Sequence, residues 1–473
     1  MVELINQINA QINSFVWGPP MLILIVGVGI FLTLRLKLMQ IFKAPLWIKN
    51  TFGKIFHKHE AAEGAVTPFQ AISTALASTV GTGNIIGVAT AIASGGPGAI
   101  FWMWVSAFFG MMTKYSEVVL AIHFRKRNEN NEWVGGPMYY ICDGLGKNFK
   151  WLAVLFAVFG SLAAFGIGNM TQVHSIANSL DTLAVNFGFL DPLSLDSAST
   201  HIFFKMSIGL LIALAVGLTV IGGVKRISRV VEKVVPFMCV CYVIGGIVTL
   251  IINSAALPNA FSLIFRYAFD FKAAAGGAAG YFVLQAMRYG VARGVFSNEA
   301  GLGSAPIAHA AAHVKHPVQQ GVWGIMEVFT DTLVVCTFTA LVILTSGVID
   351  FSAGHAQISG APLSIAAFST AFGAKFGSLF IALAIVFFAF STILGWSLYG
   401  VRCFEFLFKG KGMSEYKMVF ILCTVAASVL ELNTVWDISD TFNGLMAIPN
   451  LIALIALSGI VVKLTKEYLN DKK

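Results

Sequence analysis

Eleven apolar runs, each long enough to cross a lipid bilayer as a helix, follow one another along the chain with short polar segments between them. A membrane-spanning helix needs about 20 consecutive, mostly apolar residues. We predict spans at residues 18–36, 69–93, 98–122, 151–178, 203–222, 234–255, 274–296, 318–346, 376–400, 416–433 and 441–462. Because no linker or low-complexity segment separates these runs, the sequence predicts one all-α integral membrane protein.

The charge content argues against a soluble protein. Only 11% of the 473 residues are charged, whereas 57% are hydrophobic, and the mean hydropathy is +0.79. Too few charges are present to cover a soluble core. The formal charge of +8 does not predict a nucleic-acid partner, because the basic residues lie in short loops between apolar runs. The six cysteines lack metal-site spacing, and none falls in a predicted outward loop, so we expect no disulfide framework.

The positions of lysine and arginine predict the orientation of the chain. All 31 basic residues except Lys114, Lys205, Arg266, Lys272 and Lys375 fall in alternate loops or in the C-terminal tail. Loops rich in Lys and Arg stay in the cytoplasm. The sequence therefore predicts a multi-pass protein of the cell membrane, with its N-terminus outside and its C-terminus in the cytoplasm.

Two of the predicted spans contain helix breakers. The second reads STVGTGN at residues 78–84, and the seventh opens with AAAGGAAGYF (273–282) and later reads RYGVARG (288–294). In lipid, irregular backbone is tolerated only where it is buried in protein or lines a cavity. Two interrupted spans, five apart, predict two inverted five-span halves with a transport site between them. The alternative is that these glycines only allow close helix packing.

An interrupted helix offers two kinds of binding group. The free N–H groups at the start of its second half suit a carboxylate, and the free carbonyls at the end of its first half suit a small cation. Ser78, Thr79, Thr82 and Asn84 add side-chain oxygens here. The stretch therefore predicts a site for a zwitterionic solute and a co-transported cation.

Two other spans add polar side chains at depth. Asn169 and Gln172 are one helical turn apart in the fourth span, and Ser391 and Thr392 are adjacent in the ninth. The two hydroxyls could complete an oxygen cage, or simply bond to carbonyls of their own helix. Trp396 is either a wall of the pocket or an interfacial anchor.

Ionisable residues inside spans are functional candidates. We interpret Lys114, which lies near Glu117, as half of a buried ion pair with an acidic neighbour. Glu327 and Asp331 share one face of the eighth span, and Asp331 is a candidate for a cation or proton path.

The stretch at residues 298–316 contains His309 and His313. It lacks the glutamate of a zinc-protease motif, and we interpret it as a short amphipathic cytoplasmic segment. Arg288, Arg293 and Glu299 near it are either an inner gate or surface anchors.

Several stretches resemble a known family. GGPGAIFWMWVSAFFG (95–110) resembles the signature of the alanine or glycine:cation symporter family, and GVARGVFSNEAGLGSAPIAHAAA (290–312) and GIGNMTQ (166–172) are similar to its other characteristic stretches. The resemblance extends from about residue 64 to about residue 450. These proteins belong to the amino acid–polyamine–cation superfamily and move small neutral amino acids, chiefly alanine and glycine, with sodium.

The resemblance implies a leucine-transporter-like fold. The expected architecture has eleven transmembrane helices, in which a 5+5 inverted repeat follows one extra N-terminal helix. Residues 1–66 would hold that extra helix and a cytoplasmic loop, residues 67–257 the first five-helix repeat, and residues 258–473 the second repeat with the C-terminal tail.

The resemblance also implies particular binding residues. The amides of Thr82 and Gly83 would hold the substrate carboxylate. The sodium site would consist of the Ala77 and Val80 carbonyls with Ser391 and Thr392, and a second sodium site would fall at Thr79 and Asn84. The other candidates for the substrate pocket are Asn169, Gln172, Tyr281, Phe282, Gln285, Met287 and Trp396.

Together these features predict a sodium-coupled symporter that imports alanine or glycine by alternating access, with sodium as the coupling ion. A proton-coupled transporter of the same fold is the first alternative. A channel is disfavoured because no symmetric filter loop is present, and an enzyme is disfavoured because the sequence offers no nucleophile or metal constellation.

Overall fold

The structure is a computed structural model, and it describes residues 2–54, 64–192, 197–269, 278–349, 358–430 and 433–471. Over these residues the regular structure is helical, apart from one small antiparallel hairpin and an isolated bridge between Val66 and Ala312. The hairpin pairs β1 (Lys126–Arg127) with β2 (Trp133–Val134). The prediction of an all-α chain is therefore confirmed, with a hairpin that the sequence did not predict.

The helices before the hairpin include the N-terminal pair and the interrupted second span. In chain order they are α1 (Val2–Val16), α2 (Pro19–Arg35), α3 (Met39–Phe42), α4 (Ala44–Asn50), α5 (Pro68–Thr79), α6 (Val88–Gly95) and α7 (Gly98–His123). A π-helical turn, Gly83–Gly87, leads into α6. The start of α5 is fixed by a capping box, in which the Thr67 and Gln70 side chains each accept a hydrogen bond from the other's backbone N–H.

The helices after the hairpin complete the first half and begin the second. They are α8 (Pro137–Tyr140), α9 (Lys150–Phe165), α10 (Thr171–Asn186), α11 (Ala198–Val220), α12 (Gly223–Ile252), α13 (Leu257–Phe269) and α14 (Ala278–Asn298). A π-helical turn, Gly166–Met170, joins α9 to α10. The fourth span is therefore one helix with a local change of pitch, of a kind often found at functional sites.

The remaining helices are α15 (Pro306–His309), α16 (Pro317–Val328), α17 (Thr337–Thr345), α18 (Gly360–Phe408), α19 (Met413–Ala427), α20 (Asn433–Leu445) and α21 (Ala447–Asn470). A π-helical segment, Phe329–Cys336, joins α16 to α17. The long helix α18 bends at Gly373, whose φ of 74° lies in the left-handed region that favours glycine. The predicted ninth span, 376–400, follows that bend.

Within the described residues, eight helical stretches are long and apolar enough to cross a membrane. A bent pair, Pro68–Thr79 with Gly83–Gly95, adds a ninth when it is counted as one span, and its halves meet at 49°. The predicted break in the second span is therefore confirmed. The predicted seventh span overlaps α14, which carries Arg288 and Arg293, and the predicted tenth span overlaps α19, which has only 15 residues. Neither helix is among the stretches counted here.

The packing distinguishes a buried core from an outer layer of helices with exposed apolar side chains. Helices α14 and α16 pack on α7, and α9, α10 and α12 pack on α18. The broken span lies between α12 and α18. The outer helices instead expose apolar side chains, including Leu210, Leu211, Leu214 and Leu218 on α11. Large exposed apolar faces of this kind are typical of membrane or protein contacts, and the broken span lies inside them, packed between other helices.

Candidate functional site

The break in the second span frees two backbone carbonyls. In a continuous helix the Gly81 N–H would donate to the carbonyl of Ala77, but here it donates to Asn84 Oδ1 at 2.9 Å. Likewise, the Asn84 N–H donates to the carbonyl of Gly81 at 3.2 Å instead of that of Val80. The carbonyls of Ala77 and Val80 thus lose the donors that a regular helix would give them.

Helix α18 lies directly against this break. A Cβ atom at Gly81 would overlap Thr392 Oγ1, and one at Gly395 would overlap Ser78 Oγ. Ser391 and Thr392 each donate a hydrogen bond to the carbonyl of Phe388 at 2.9 Å. The hydroxyl oxygens keep lone pairs after this donation. Buried carbonyl and hydroxyl oxygens from two helices are the ligands that a small hard cation prefers.

A small cavity opens beside the break, on the side that faces α10 and the end of α14. Its lining residues are Ser78, Thr79, Gly81, Thr82, Gly83, Ile167, Gln172, Phe296, Glu299, Thr392, Trp396 and Asn443. The structure therefore brings together seven of the candidates named from the sequence: Ser78, Thr79, Thr82, Gly83, Gln172, Thr392 and Trp396. Thr82 Oγ1 donates to Gln172 Oε1 at 3.1 Å, which links the two sides of the cavity.

Asn84 faces away from the cavity toward the eighth span. Its Nδ2 donates to Asp331 Oδ1 at 2.7 Å, and its carbonyl accepts from Thr339 Oγ1 at 2.8 Å. Asp331 also accepts from Ser297 Oγ at 2.9 Å and from Thr332 Oγ1 at 2.8 Å. Asp331 is buried, so this cluster joins the first break, the end of α14 and the π-helical segment of the eighth span in one hydrogen-bond network.

Other candidates lie outside the cavity lining. Asn169 Nδ2 donates to the carbonyl of Phe420 at 2.6 Å, and Asn169 Oδ1 accepts from Thr424, so its amide is directed at α19. The π-helical turn at 166–170 changes the helical register between Asn169 and Gln172. Gln285 and Met287 lie further back along α14. The side chains of Tyr281 and Phe282 are outside the described residues.

The seventh span has a break that the sequence analysis did not predict. Residues 288–294 lie within the continuous helix α14, so the interruption predicted there is wrong, and residues 273–277 are outside the described part. The chain leaves helical geometry at Glu299, with φ values of +55° at Glu299, +95° at Gly301 and +84° at Gly303. Gly301-Leu302-Gly303 repeats the Gly-x-Gly pattern of Gly81-Thr82-Gly83, but the same pattern also occurs elsewhere in the chain, for example at residues 144–146, so it does not single out the second break.

This second break supplies two cavity residues that the sequence reasoning did not assign to the pocket. Phe296 is on the last turn of α14, and Glu299 is the first residue after that helix. Trp396 Nε1 donates to Glu299 Oε1 at 3.0 Å, and Ser304 Oγ donates to Glu299 Oε2. The cavity is therefore bounded by both interrupted spans.

Beneath the second break lies a buried cluster of charged groups. Lys114 Nζ is 3.3 Å from Glu327 Oε1, and both side chains are fully buried, which confirms the predicted ion pair. His309 Nε2 is 2.9 Å from Glu327 Oε2, and Gln320 bonds to the other ring nitrogen of His309. In the described part of the chain no three His, Cys, Asp or Glu side chains form a metal-binding group.

The segment around His309 is core and not surface. Residues 297–312 are all buried, so the prediction that they form an amphipathic segment is wrong, whereas their cytoplasmic location stays a prediction. Its small residues allow this burial, because a Cβ atom at Gly303 would overlap Pro137 and Phe156. Arg125 fixes the end of the segment by donating to the carbonyl of Ala310 at 3.2 Å and to that of Ala312.

Comparison with known proteins identifies relatives over the whole chain. The model of the sodium:alanine symporter family matches residues 2–473. The sodium/alanine symporter AgcS of Methanococcus maripaludis is 48% identical over 474 residues, which cover 100% of this chain and 99% of that protein. In Bacillus subtilis, the probable sodium/glutamine symporter GlnT is 36% identical over 100% of this chain and 92% of its own length.

A further Bacillus subtilis relative, the putative sodium/proton-dependent alanine carrier YrbD, is 35% identical over 98% of this chain and 92% of its own. Among solved structures, MhsT in complex with L-phenylalanine aligns with a TM-score of 0.51 at 14% identity, covering 85% of this chain and 90% of that one. At this identity the likeness concerns the fold alone.

Proposed function

The chain belongs to the sodium:alanine symporter family, and from that premise we propose that it imports alanine, and also glycine, together with sodium by alternating access. Its relatives are transporters and not enzymes. One observation carries the proposal. The broken second span releases two carbonyls from their helical donors, packs on Thr392 of α18 at Gly81, and borders a cavity that Gly81 and Thr392 both line.

The proposed sodium site consists of the carbonyls of Ala77 and Val80 with the hydroxyls of Ser391 and Thr392. The released carbonyls and the contact of Gly81 with Thr392 support this assignment. The amides of Thr82 and Gly83 at the start of the second half-helix would hold the substrate carboxylate, because helix N-termini favour anions.

Coupling follows from where the ion would lie. A ligand shifts a conformational equilibrium only by its differential affinity for the two states. Sodium bound between the broken span and α18 would stabilise the conformations in which these two bodies meet, and both bodies line the cavity beside it, through Gly81 and Thr392. The membrane potential contributes about 2.3 kcal/mol per charge per 100 mV, which favours inward accumulation.

We further propose eleven spans, arranged as an N-terminal region (1–66) and two inverted repeats (67–257 and 258–473), in the cell membrane with the N-terminus outside. Two observations support the repeat. The break after Thr79 falls in the second predicted span, and the break after Asn298 directly follows the helix of the seventh. The fold also resembles that of MhsT.

Uptake of radiolabelled alanine and glycine into proteoliposomes, with and without a sodium gradient, tests the function. Sodium-dependent accumulation of either amino acid is expected. Uptake that persists without sodium but collapses with the pH gradient would instead establish the proton-coupled alternative.

Replacing Ser391 and Thr392 together by Ala tests the ion site. We expect the sodium concentration for half-maximal alanine uptake to rise at least about tenfold, because two oxygen ligands are lost. The adjacent pair Ser369 and Thr370 is the matched control, since these hydroxyls also bond to carbonyls of α18 but lie before its bend. Unchanged sodium activation in the first variant would rule out the proposed site.

A further inference from the structure

We propose that Glu299 receives the ammonium group of the transported amino acid, and so makes the cavity select α-amino acids over α-hydroxy acids. This inference rests on the proposed function, because it needs an amino acid in the cavity. Glu299 lines the same cavity as Thr82 and Gly83, whose amides are the proposed carboxylate site. The two charged ends of a zwitterion would thus meet the two interrupted spans.

The backbone at Glu299 is strained. Its φ of +55° lies in the left-handed region, where a residue with a Cβ atom is disfavoured by about 1–2 kcal/mol. Gly301 and Gly303, two and four residues later, adopt positive φ as glycines. A glycine would fit position 299 with less strain, so the glutamate side chain has a use that offsets the backbone cost. Strain of this kind concentrates at binding sites.

The Glu299 carboxylate is held at the cavity by two donors. Trp396 Nε1 donates to Oε1 at 3.0 Å, and Ser304 Oγ donates to Oε2. Trp396 is itself fixed, because a Cβ atom at Gly168 would overlap the Trp396 side chain. Each carboxylate oxygen can accept a further hydrogen bond, so the group is oriented but not saturated.

Glu299 also differs from the other buried glutamates nearby. Glu327 has Lys114 and His309 as partners, and Glu117 accepts from Asn450 Nδ2 and the Gly301 N–H but is not part of the cavity lining. Among the described residues, no Lys, Arg or His nitrogen lies within 4.0 Å of the Glu299 carboxylate, and Lys114, whose charge acts on it from further away, is paired with Glu327. A buried carboxylate is costly without a cationic partner, and a substrate ammonium would supply one.

The experiment compares alanine with lactate, which carries a hydroxyl in place of the ammonium group. Sodium-driven uptake of labelled alanine is measured in proteoliposomes with unlabelled alanine or lactate as competitor. For Glu299→Gln we expect the preference for alanine over lactate to fall about 10- to 100-fold, since a charge-assisted bond becomes a neutral one. Glu299→Asp keeps the charge and should retain most of the preference.

Two further variants keep the test decisive. Glu117→Gln is the control, because it neutralises a buried carboxylate outside the cavity lining and should leave the preference unchanged. Trp396→Phe removes the donor to Glu299 but keeps an aromatic ring, so the preference should fall by less than in Glu299→Gln. Trp396→Phe also provides the test if Glu299→Gln fails to fold.

A Glu299→Gln protein with wild-type preference would overturn the proposal. A Glu299→Gln protein in which only the sodium activation is changed would also overturn the proposal, because Glu299 would then act on the ion and not on the substrate. If the wild-type protein does not take up alanine with sodium, the proposed function fails by itself. The role of Glu299 is then tested with the amino acid that is transported and its own hydroxy-acid analogue.

Discussion

At the scale of single residues, the absence of a side chain at Gly81 brings the broken span and α18 together. Gly81 is buried, and the hydroxyl of Thr392 occupies the space that a Cβ atom would need. The same residue donates its N–H to Asn84 and so releases the carbonyl of Ala77. One position therefore fixes both the helix contact and the availability of a proposed sodium ligand.

We predict that Gly81→Ala lowers sodium-driven alanine uptake at least about tenfold at equal amounts of reconstituted protein. The added methyl group must displace Thr392 or widen the helix contact, and tightly packed interiors resist such overpacking. Gly87→Ala is the matched control, because a Cβ atom there meets nothing within 4 Å. Uptake by Gly81→Ala equal to that of Gly87→Ala would contradict this account of the contact.

At the scale of elements, the sequence predicted the first break well and the second poorly. Between Ser78 and Asn84, glycines and hydroxyls stand inside an otherwise apolar run, and this local composition favoured a break over the alternative of close helix packing. The second break follows Asn298, where Glu299 and two histidines gave the segment the composition of a cytoplasmic loop. Its burial depends on partners far along the chain, such as Glu327 for His309, and a local pattern does not reveal them.

The residues predicted for the substrate pocket also include some that line the cavity and some that do not. Thr82, Gln172 and Trp396 are on predicted spans, where polar or aromatic groups are conspicuous among apolar residues. Asn169 has the same composition signal, yet the π-helical turn beginning at Gly166 directs its amide toward α19. Helical spacing alone cannot show such a change of register, because a π turn inserts a residue into the 3.6-residue period.

The buried pair of Lys114 and Glu327 joins α7 to α16 and gives a prediction about stability. Lys114→Met should destabilise the protein by about 3–5 kcal/mol, because it leaves a buried carboxylate without its ammonium partner. A lower unfolding temperature of the detergent-purified protein would report the loss. Lys463→Met is the control, since its pair with Glu467 is exposed and should contribute only about 0–1 kcal/mol.

Replacing both members of the buried pair should be less damaging than Lys114→Met alone. In the double variant, Lys114→Met with Glu327→Gln, the uncompensated charge is gone. Equal unfolding temperatures for Lys114→Met and the wild-type protein would show that the pair does not stabilise the contact between α7 and α16.

At the scale of the whole molecule, the basic loops are predicted to lie on one side of the membrane, and side-chain contacts hold two of these loops together. The hairpin of β1 and β2 is fastened to α18 by Arg402, whose guanidinium lies 2.6 Å from Glu132 and 2.6 Å from Glu405. Asn128 Nδ2 donates to Glu405 at 2.7 Å. These contacts connect the loop after α7 with α18, the helix that carries Ser391 and Thr392. The side of the membrane on which the hairpin lies is therefore also the side on which α18 ends.

The orientation of this face gives the last prediction. Basic loops remain in the cytoplasm, so the hairpin should be inside and the end of α10 outside. Asn130 and Asn186 are both exposed, and each can carry a single cysteine after the six native free cysteines are replaced by Ala. In intact cells, a membrane-impermeant maleimide should label Asn186→Cys and should label Asn130→Cys only after permeabilisation. The opposite labelling pattern would show that the protein has the inverse orientation in the membrane. The membrane potential would then act on the proposed sodium site from the other side.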